Sequence, residues 1–393
     1  MFRVERAILL LFLALLSGCQ FAFTGVEVKP VHSSVQKPSN VAVYVAIKDG
    51  DVRLTDLDES NFTVYENDKP IDKSQARLTL LVQDAAAVHH VLLLLDLSGE
   101  LGQQQREDLE RAVAAFVQSV TKSEGVSVFG FDGGTEIRKL GEFQAGHSGE
   151  VRLVGLAAGD PSRNLNGAAI LALKRLNAQL MRIKRPVRVG TLVVFTRGPD
   201  VAARETSDTV YSALSSSAYH AFAVGVKSEG SYYLDDVGPS GKVEAESASA
   251  LGPAFLEAAR LVNDARASHY LVQYCSPARA GKPIVRLEVR YVNPAGEERS
   301  GDVELGFDAS GFGPGCDPTS PPTFQTPAKD PWDMDLAPES NDAAAPRAPS
   351  GAPPAASEPP ADATTPVPPP ADATGDEDDD GAIVPPPDAS GYE

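Results

Sequence analysis

A chain of 393 residues, 42% of them hydrophobic, has room for two or three domains with cores of their own. Its formal charge of −19 and the lack of a basic stripe exclude nucleic acid as a partner. Three cysteines and six histidines show neither a metal-knuckle spacing nor a CxxC or HExxH pattern, so no cofactor is expected.

The chain opens on a basic n-region, Arg3 and Arg6, followed by an apolar run over residues 7–16. Such a run is about half the length needed to span a bilayer, which takes about 20 residues. It ends in Leu16-Ser17-Gly18-Cys19, which resembles the lipobox of bacterial lipoproteins. The resemblance implies a signal peptide over residues 1–18, removal of that peptide, and a palmitate-bearing lipid anchor on Cys19 that ties the protein to a membrane of the cell envelope. A plain secretory signal with a chance cysteine is the alternative. In such lipoproteins an Asp after the lipidated Cys favours the inner membrane, so Gln20 points to the outer one. With Cys19 lipidated, Cys275 and Cys316 remain as a pair, and a compartment outside the cytosol permits a disulfide. Its loop of about 40 residues is worth roughly 3–4 kcal/mol in the chain-entropy model.

Residues 19–37 read as a polar tether. Residues 41–47 alternate apolar and polar, Lys48-Asp49-Gly50-Asp51 supplies a turn, and further strands are expected at 62–66 and 78–82. Three more strands are expected at 270–274, 284–292 and 303–307. Three-stranded pieces rarely stand alone. Residues 38–85 and 268–316 are therefore expected to pair as two halves of one small Ig-like β-sandwich, with the middle of the chain inserted between them.

That middle, residues 88–266, alternates strands and helices. The aliphatic run Val91-Leu92-Leu93-Leu94-Leu95 is the pattern of a parallel strand buried on both faces. Leu109, Val113, Phe116, Val117 and Val120 then recur at helical spacing. Strands over 126–131, 189–195 and 221–226 and helices over 165–181, up to about 216, and 247–265 complete an α/β, doubly wound (Rossmann-like) pattern. The first strand runs into Asp96-Leu97-Ser98-Gly99-Glu100, the second closes on Phe129-Gly130-Phe131-Asp132, and Asn164-Leu165-Asn166-Gly167 opens the long helix. With Val193-Val194-Phe195-Thr196 closing a later strand, this region resembles the von Willebrand factor type A (VWA) domain. A Tyr-Cys-Ser-Pro turn like Tyr274-Cys275-Ser276-Pro277 is also found in lipoproteins of this plan.

Domains of that family hold a metal-ion-dependent adhesion site (MIDAS) made of Asp-x-Ser-x-Ser, a Thr before the long helix and an Asp after the fourth strand. Its logic is oxygen coordination of a hard cation. Here Asp96 and Ser98 match, while Glu100 stands for the second Ser, Arg163 for the Thr and Arg197 for the Asp. The site is degenerate: two guanidinium groups have arrived where a cation and its ligands would sit. The expected arrangement is a salt-bridge cluster in which Asp96 and Glu100 accept from Arg163 and Arg197. The alternative is a rearranged metal site on Asp96, Ser98, Glu100 and Asp132 or Asp200. Ser98 lies outside a GxSxG elbow, so no enzyme is expected. The function expected is metal-independent protein–protein interaction or scaffolding, and the alternative is a metal-dependent adhesin.

From residue 317 the composition turns to Pro, Ala, Asp and Ser. This tail, with 16 acidic and 2 basic residues, carries about −14 of the −19, and residues 317–393 are expected to be disordered. Asp376-Glu377-Asp378-Asp379-Asp380-Gly381 resembles the opening of an EF-hand loop, but loop position twelve is Pro387 and calcium is not expected there. Trp332, in Asp330-Pro331-Trp332-Asp333-Met334-Asp335-Leu336, is an aromatic among acids, a pattern shared by docking motifs and by residual composition.

Overall fold

The computed structural model describes residues 25–85, 87–147, 149–153, 159–227 and 233–324. Residues 1–24, with the expected signal peptide and Cys19, and residues 325–393 lie outside the described residues. The first half of the sandwich contains β1 (Val26–Gln36), β2 (Asn40–Asp49), β3 (Val52–Arg53), β4 (Phe62–Glu66) and β5 (Lys69–Pro70), then a helical turn, α1 (Lys73–Ala76), and β6 (Thr79–Leu81). Strand β1 corrects the expected tether: it pairs antiparallel with β2 from Val26↔Asp49 to Gln36↔Asn40. Val26 and Val28 point into the core while Glu27 and Lys29 face solvent. The signal is hidden because the strand carries Pro30 at an irregularity between Pro30 and His32, and a bulge is where a strand tolerates proline.

The inserted region runs β7 (Ala87–Asp96), α2 (Gln103–Val120), β8 (Gly125–Phe131), β9 (Arg138–Phe143), α3 (Leu165–Met181) and β10 (Val187–Thr196). It continues with α4 (Ser207–Ser215), β11 (His220–Val226), α5 (Tyr233–Val237), β12 (Gly241–Ala245) and α6 (Leu251–Ala267). Its sheet has the order β12-β11-β10-β7-β8-β9, parallel throughout except for β9. The central strand β7 is buried on both faces, as its unbroken aliphatic run requires. Val91, Leu93 and Leu95 pack with α2 and α6, where Phe255 meets Phe116 and Phe195. Leu92 and Leu94 pack on the other face with α3, α4 and α5. Counted within this region, the strand order is 3-2-1-4-5-6, so the chain reverses direction across the sheet between β7 and β10, and the crevice at their carboxyl ends is where such sheets bind ligands.

The chain then completes the sandwich with β13 (His269–Cys275), β14 (Ile284–Val292) and β15 (Glu298–Gly306). One antiparallel sheet is ordered β1-β2-β13-β6 with β3 beside β2, the other β15-β14-β4-β5. Strand β13 sits between β2 and β6, and β14 beside β4, so each sheet needs strands from both sides of the insertion. Their shared core includes Val43, Val45, Phe62, Val64, Val272, Tyr274, Leu287 and Val289. Cys275 and Cys316 are bonded, with Cα atoms 5.8 Å apart.

The tail boundary also needs correcting, because residues 317–324 pack on the sandwich. Gln273 Nε2 donates to the Ser320 carbonyl at 2.9 Å, Ser34 Oγ donates to that of Thr323 at 2.6 Å, and Asn40 Nδ2 to that of Asp317. Phe324 is buried edge-on to His32, with ring centroids 5.1 Å apart. Among the described residues no helix is long and apolar enough to cross a membrane.

Candidate functional site at the carboxyl ends of β7 and β10

Asp96 ends β7 with its side chain fully buried. A buried carboxylate is stable only when its oxygens accept hydrogen bonds. Oδ1 accepts from the backbone N–H of Ser98 at 2.9 Å and from Ser98 Oγ at 2.5 Å. Oδ2 accepts from Arg163 Nε at 2.6 Å and from the backbone N–H of Arg197 at 2.9 Å. Thr196 Oγ1 lies 3.3 Å from the same oxygen and donates to the Gly198 carbonyl at 2.7 Å.

Arg163 reaches Asp96 from the loop before α3. Its second hold is Nη1 on the Pro199 carbonyl at 3.1 Å, so the guanidinium bridges the two strand ends instead of forking onto one carboxylate. Gly198 makes this approach feasible, since a Cβ there would lie 2.7 Å from Arg163 Nη1. The Arg163 carbonyl in turn accepts from the N–H groups of Val201 and Ala202, both at 2.9 Å, which ties the loop after β10 to the loop before α3.

Arg197 behaves differently from the expectation. Only its backbone touches Asp96; its side-chain Nε is buried without a hydrogen-bond partner among the described residues. Burial pulls its guanidinium below the ordinary arginine range, Asp96 opposes that, and Arg163 reinforces it. Glu100 is a second correction. It is exposed and accepts from neither arginine, because Gly99 at φ +62° turns the loop before Glu100 reaches the crevice. The ion cluster is therefore one pair, Asp96 with Arg163, and a half-buried Arg197 beside it.

Three further carboxylates hold the surrounding loops, all by backbone N–H groups. Asp132 accepts from Gly134 and Gly159, both at 2.8 Å. Asp160 accepts from the N–H of Ser162 at 2.9 Å and lies 3.5 Å from Arg204 Nη2. Asp200 accepts from Asn166, in the first turn of α3, at 3.0 Å and from Ala203 at 2.7 Å. The Asp160-Pro161-Ser162 and Asp132-Gly133-Gly134 turns are legible from spacing alone, each an Asp accepting from the N–H two residues on; the holds of Asp132 on Gly159 and of Asp200 on Asn166 span loops and have no local signal.

This set of donors fits a cation poorly. The Asp96 oxygens that would ligate it already accept N–H and O–H donors, and a fixed positive charge lies 2.6 Å away. No group of three or more His, Cys, Asp or Glu among the described residues is placed to hold a metal. What the arrangement offers is a partly basic strand-end crevice, with Arg197 half-buried beside the Asp96–Arg163 pair.

No protein-family model matches the chain, and no curated protein matches it in sequence. Solved structures similar to it include a von Willebrand factor type A protein from Catenulispora acidiphila, at 11% identity over 72% of each chain, with a TM-score of 0.35. Another is proximal thread matrix protein 1 from the mussel byssus, at 12% identity and a TM-score of 0.32. That match covers 51% of this chain and 49% of the mussel protein, so the chain spans about half of the latter's length. The SpRpn10 VWA domain is similar at 10% identity over 44% of this chain and 96% of that domain, with a TM-score of 0.32. Likeness at this level carries no argument about what the site does.

Proposed function

We propose that this chain is a lipid-anchored cell-envelope protein that binds another protein through its inserted α/β region, and does so without a metal ion. On this reading the region is a VWA-like domain with a degenerate adhesion site, set in an Ig-like sandwich and carried on Cys19, with the outer membrane as its place. It binds and does not catalyse. The observation that supports metal independence is the 2.6 Å contact between Arg163 Nε and Asp96 Oδ2. A guanidinium there supplies the positive charge that the strand-end carboxylate needs, and repels a second cation.

The test is thermal unfolding of the full-length protein in detergent, first in EDTA and then in excess Mg²⁺, Mn²⁺ or Ca²⁺. A ligand that binds only the folded state at 100 times its dissociation constant stabilises by about 2.7 kcal/mol, a shift of a few degrees. The midpoint is expected to stay where it is in every cation. A rise in Mg²⁺ or Mn²⁺ would overturn the proposal and put a metal-dependent adhesin with a rearranged site in its place.

A further inference from the structure

The outer face of the β1-β2-β13-β6 sheet packs on the base of the inserted region, where Ala42, Tyr44 and Leu271 meet Ala87, Val187 and Val189. At the β1 margin that contact is incomplete and leaves a groove of about 320 Å³, a volume at the small end of ligand sites. An irregularity in β1 shapes one wall. Pro30 pairs with Val45 and His32 with Tyr44, so Val31 is an extra residue, and bulges of this kind re-aim side chains. Lys29, Val31 and His32 all line the groove. The opposite wall is made by Met181, at the end of α3, and Arg188, near the start of β10.

Rings supply much of the remaining lining: Tyr219, His220 and His269 join His32 there. His220 meets His269 edge-on, with centroids 5.8 Å apart, and makes ring contacts but no hydrogen bond among the described residues. Burial lowers His220 to about 3 and His269 to about 4, so both are uncharged at neutral pH. No carboxylate lines the groove, and among the described residues none pairs with Lys29 or Arg188. The acid two positions before Lys29, Glu27, is taken by Lys48 at 2.9 Å. Arg188 commits Nε to the Ile183 and Arg185 carbonyls and Nη1 to Met181 Sδ, which leaves Nη2 without a partner among the described residues. Walls of rings and a thioether favour an aromatic body. An uncompensated cation on each wall favours a single negative charge, held by charge-assisted hydrogen bonds. We propose that this groove binds a small aromatic carboxylate, with its ring between β1 and the connector before β10 and its carboxylate between Lys29 and Arg188. The site lies at the end of the inserted region opposite the Asp96 crevice and is independent of it.

The probe is naphthalene carboxylate, titrated calorimetrically into the full-length protein in neutral detergent, with detergent alone as the blank. It is expected to bind at a single site. Naphthalene carboxamide keeps the ring and loses the charge, and is expected to bind about tenfold more weakly. Lys29→Gln, at an exposed and unpaired position, is expected to weaken the acid severalfold and leave the amide unchanged. Ala218, exposed at the groove's edge, provides a second variant: Ala218→Glu fills the groove with a like charge and is expected to abolish binding of both, at an unchanged thermal midpoint. Equal binding of acid and amide would overturn the proposal, as would no binding at all or binding of the acid that survives Ala218→Glu. A tripeptide ending in Phe tests the other source of the same chemistry. Binding tighter than that of the small acid, and lost when the terminus is amidated, would overturn the assignment and make the groove a reader of protein C-termini.

Discussion

Asp96 is buried more completely than any other charged side chain at the site, and its stability depends on the donors that converge on it. An ion pair of this kind adds little over a well-packed apolar pair, yet breaking it from one side is costly, because the remaining charge stays buried. Asp96→Ala is therefore expected to cost about 3–5 kcal/mol of unfolding free energy, since Arg163 and the backbone of Ser98 and Arg197 lose their acceptor together. Arg163 is part-exposed, with 18% of its side chain open to solvent, so Arg163→Met should cost less. In urea unfolding the double variant is expected to be more stable than the sum of the two single losses implies, by about 1–3 kcal/mol. Strict additivity would show that Arg163 contributes nothing to Asp96 and would remove the physical basis for metal independence. Arg197 belongs to the opposite case: its Nε is buried without a partner among the described residues, and an unmet buried donor costs stability.

Beneath the site, where β7, β11 and β13 begin, lie four histidines, of which His89, His90 and His269 are buried and His220 is half-buried. His89 Nε2 lies 2.9 Å from Tyr44 Oη, His269 stacks on Tyr44 and meets His89 and His220 edge-on, and His90 Nε2 lies 2.8 Å from Ser127 Oγ. Burial lowers them all, His220 to about 3, His269 and His90 to about 4, and His89 well below its usual value. Glu124, buried nearby, is pushed up to about 8, again by burial. Below about pH 6.5 the unfolded chain takes up protons that the folded histidines refuse, so stability falls as pH drops towards 4. Glu124 acts in the other direction: the folded chain holds a proton that the unfolded carboxyl releases near its ordinary value of 4.5, so its contribution is lost as pH rises from about 4.5 to 8. Four groups outweigh one below 6.5, and Glu124 acts alone above it. Urea unfolding from pH 4.5 to 8.5 is thus expected to show greatest stability near pH 6.5, and His269→Phe, which keeps the stacking, should flatten the acid limb. A stability that is flat from 5 to 6.5 would contradict the burial of this cluster. These elements also show what a sequence can and cannot disclose. Helix α3 and strand β7 were legible to within a few residues because both faces of β7 and one face of α3 are apolar. Strands β9 and β12 were not, since they are the two edges of their sheet and edge strands carry few core residues. At the site, Asp96, Arg163 and Arg197 were placed by the strand-end pattern, whereas the outward turn at Gly99 that removes Glu100 depends on a backbone angle with no signature in residue type.

The two regions are coupled through the way the chain is threaded. Strand β6 ends at Leu81 and its neighbour β13 begins at His269, so the folded insertion acts as a short rigid spacer between strands that must pair. If the insertion unfolds, everything between Leu81 and His269 becomes a flexible loop, and closing it costs the sandwich about 3–5 kcal/mol. The Cys275–Cys316 bond gives no protection against this, because both cysteines lie on the same side of the insertion. The histidine cluster adds a second link, since Tyr44 and His269 of the sandwich pack against His89 and His220 of the insertion. A sandwich and an insertion so joined should unfold as one unit in calorimetry. Phe255→Ala, deep between α6, α2 and β10, should remove about 3–5 kcal/mol by leaving a cavity. Although no sandwich residue touches that cavity, amide exchange at Val43 and Val272, paired across β2 and β13, is expected to quicken by the same free energy. If the variant instead shows two transitions, with exchange at Val43 and Val272 unchanged, the sandwich closes without the insertion and the threading carries no coupling.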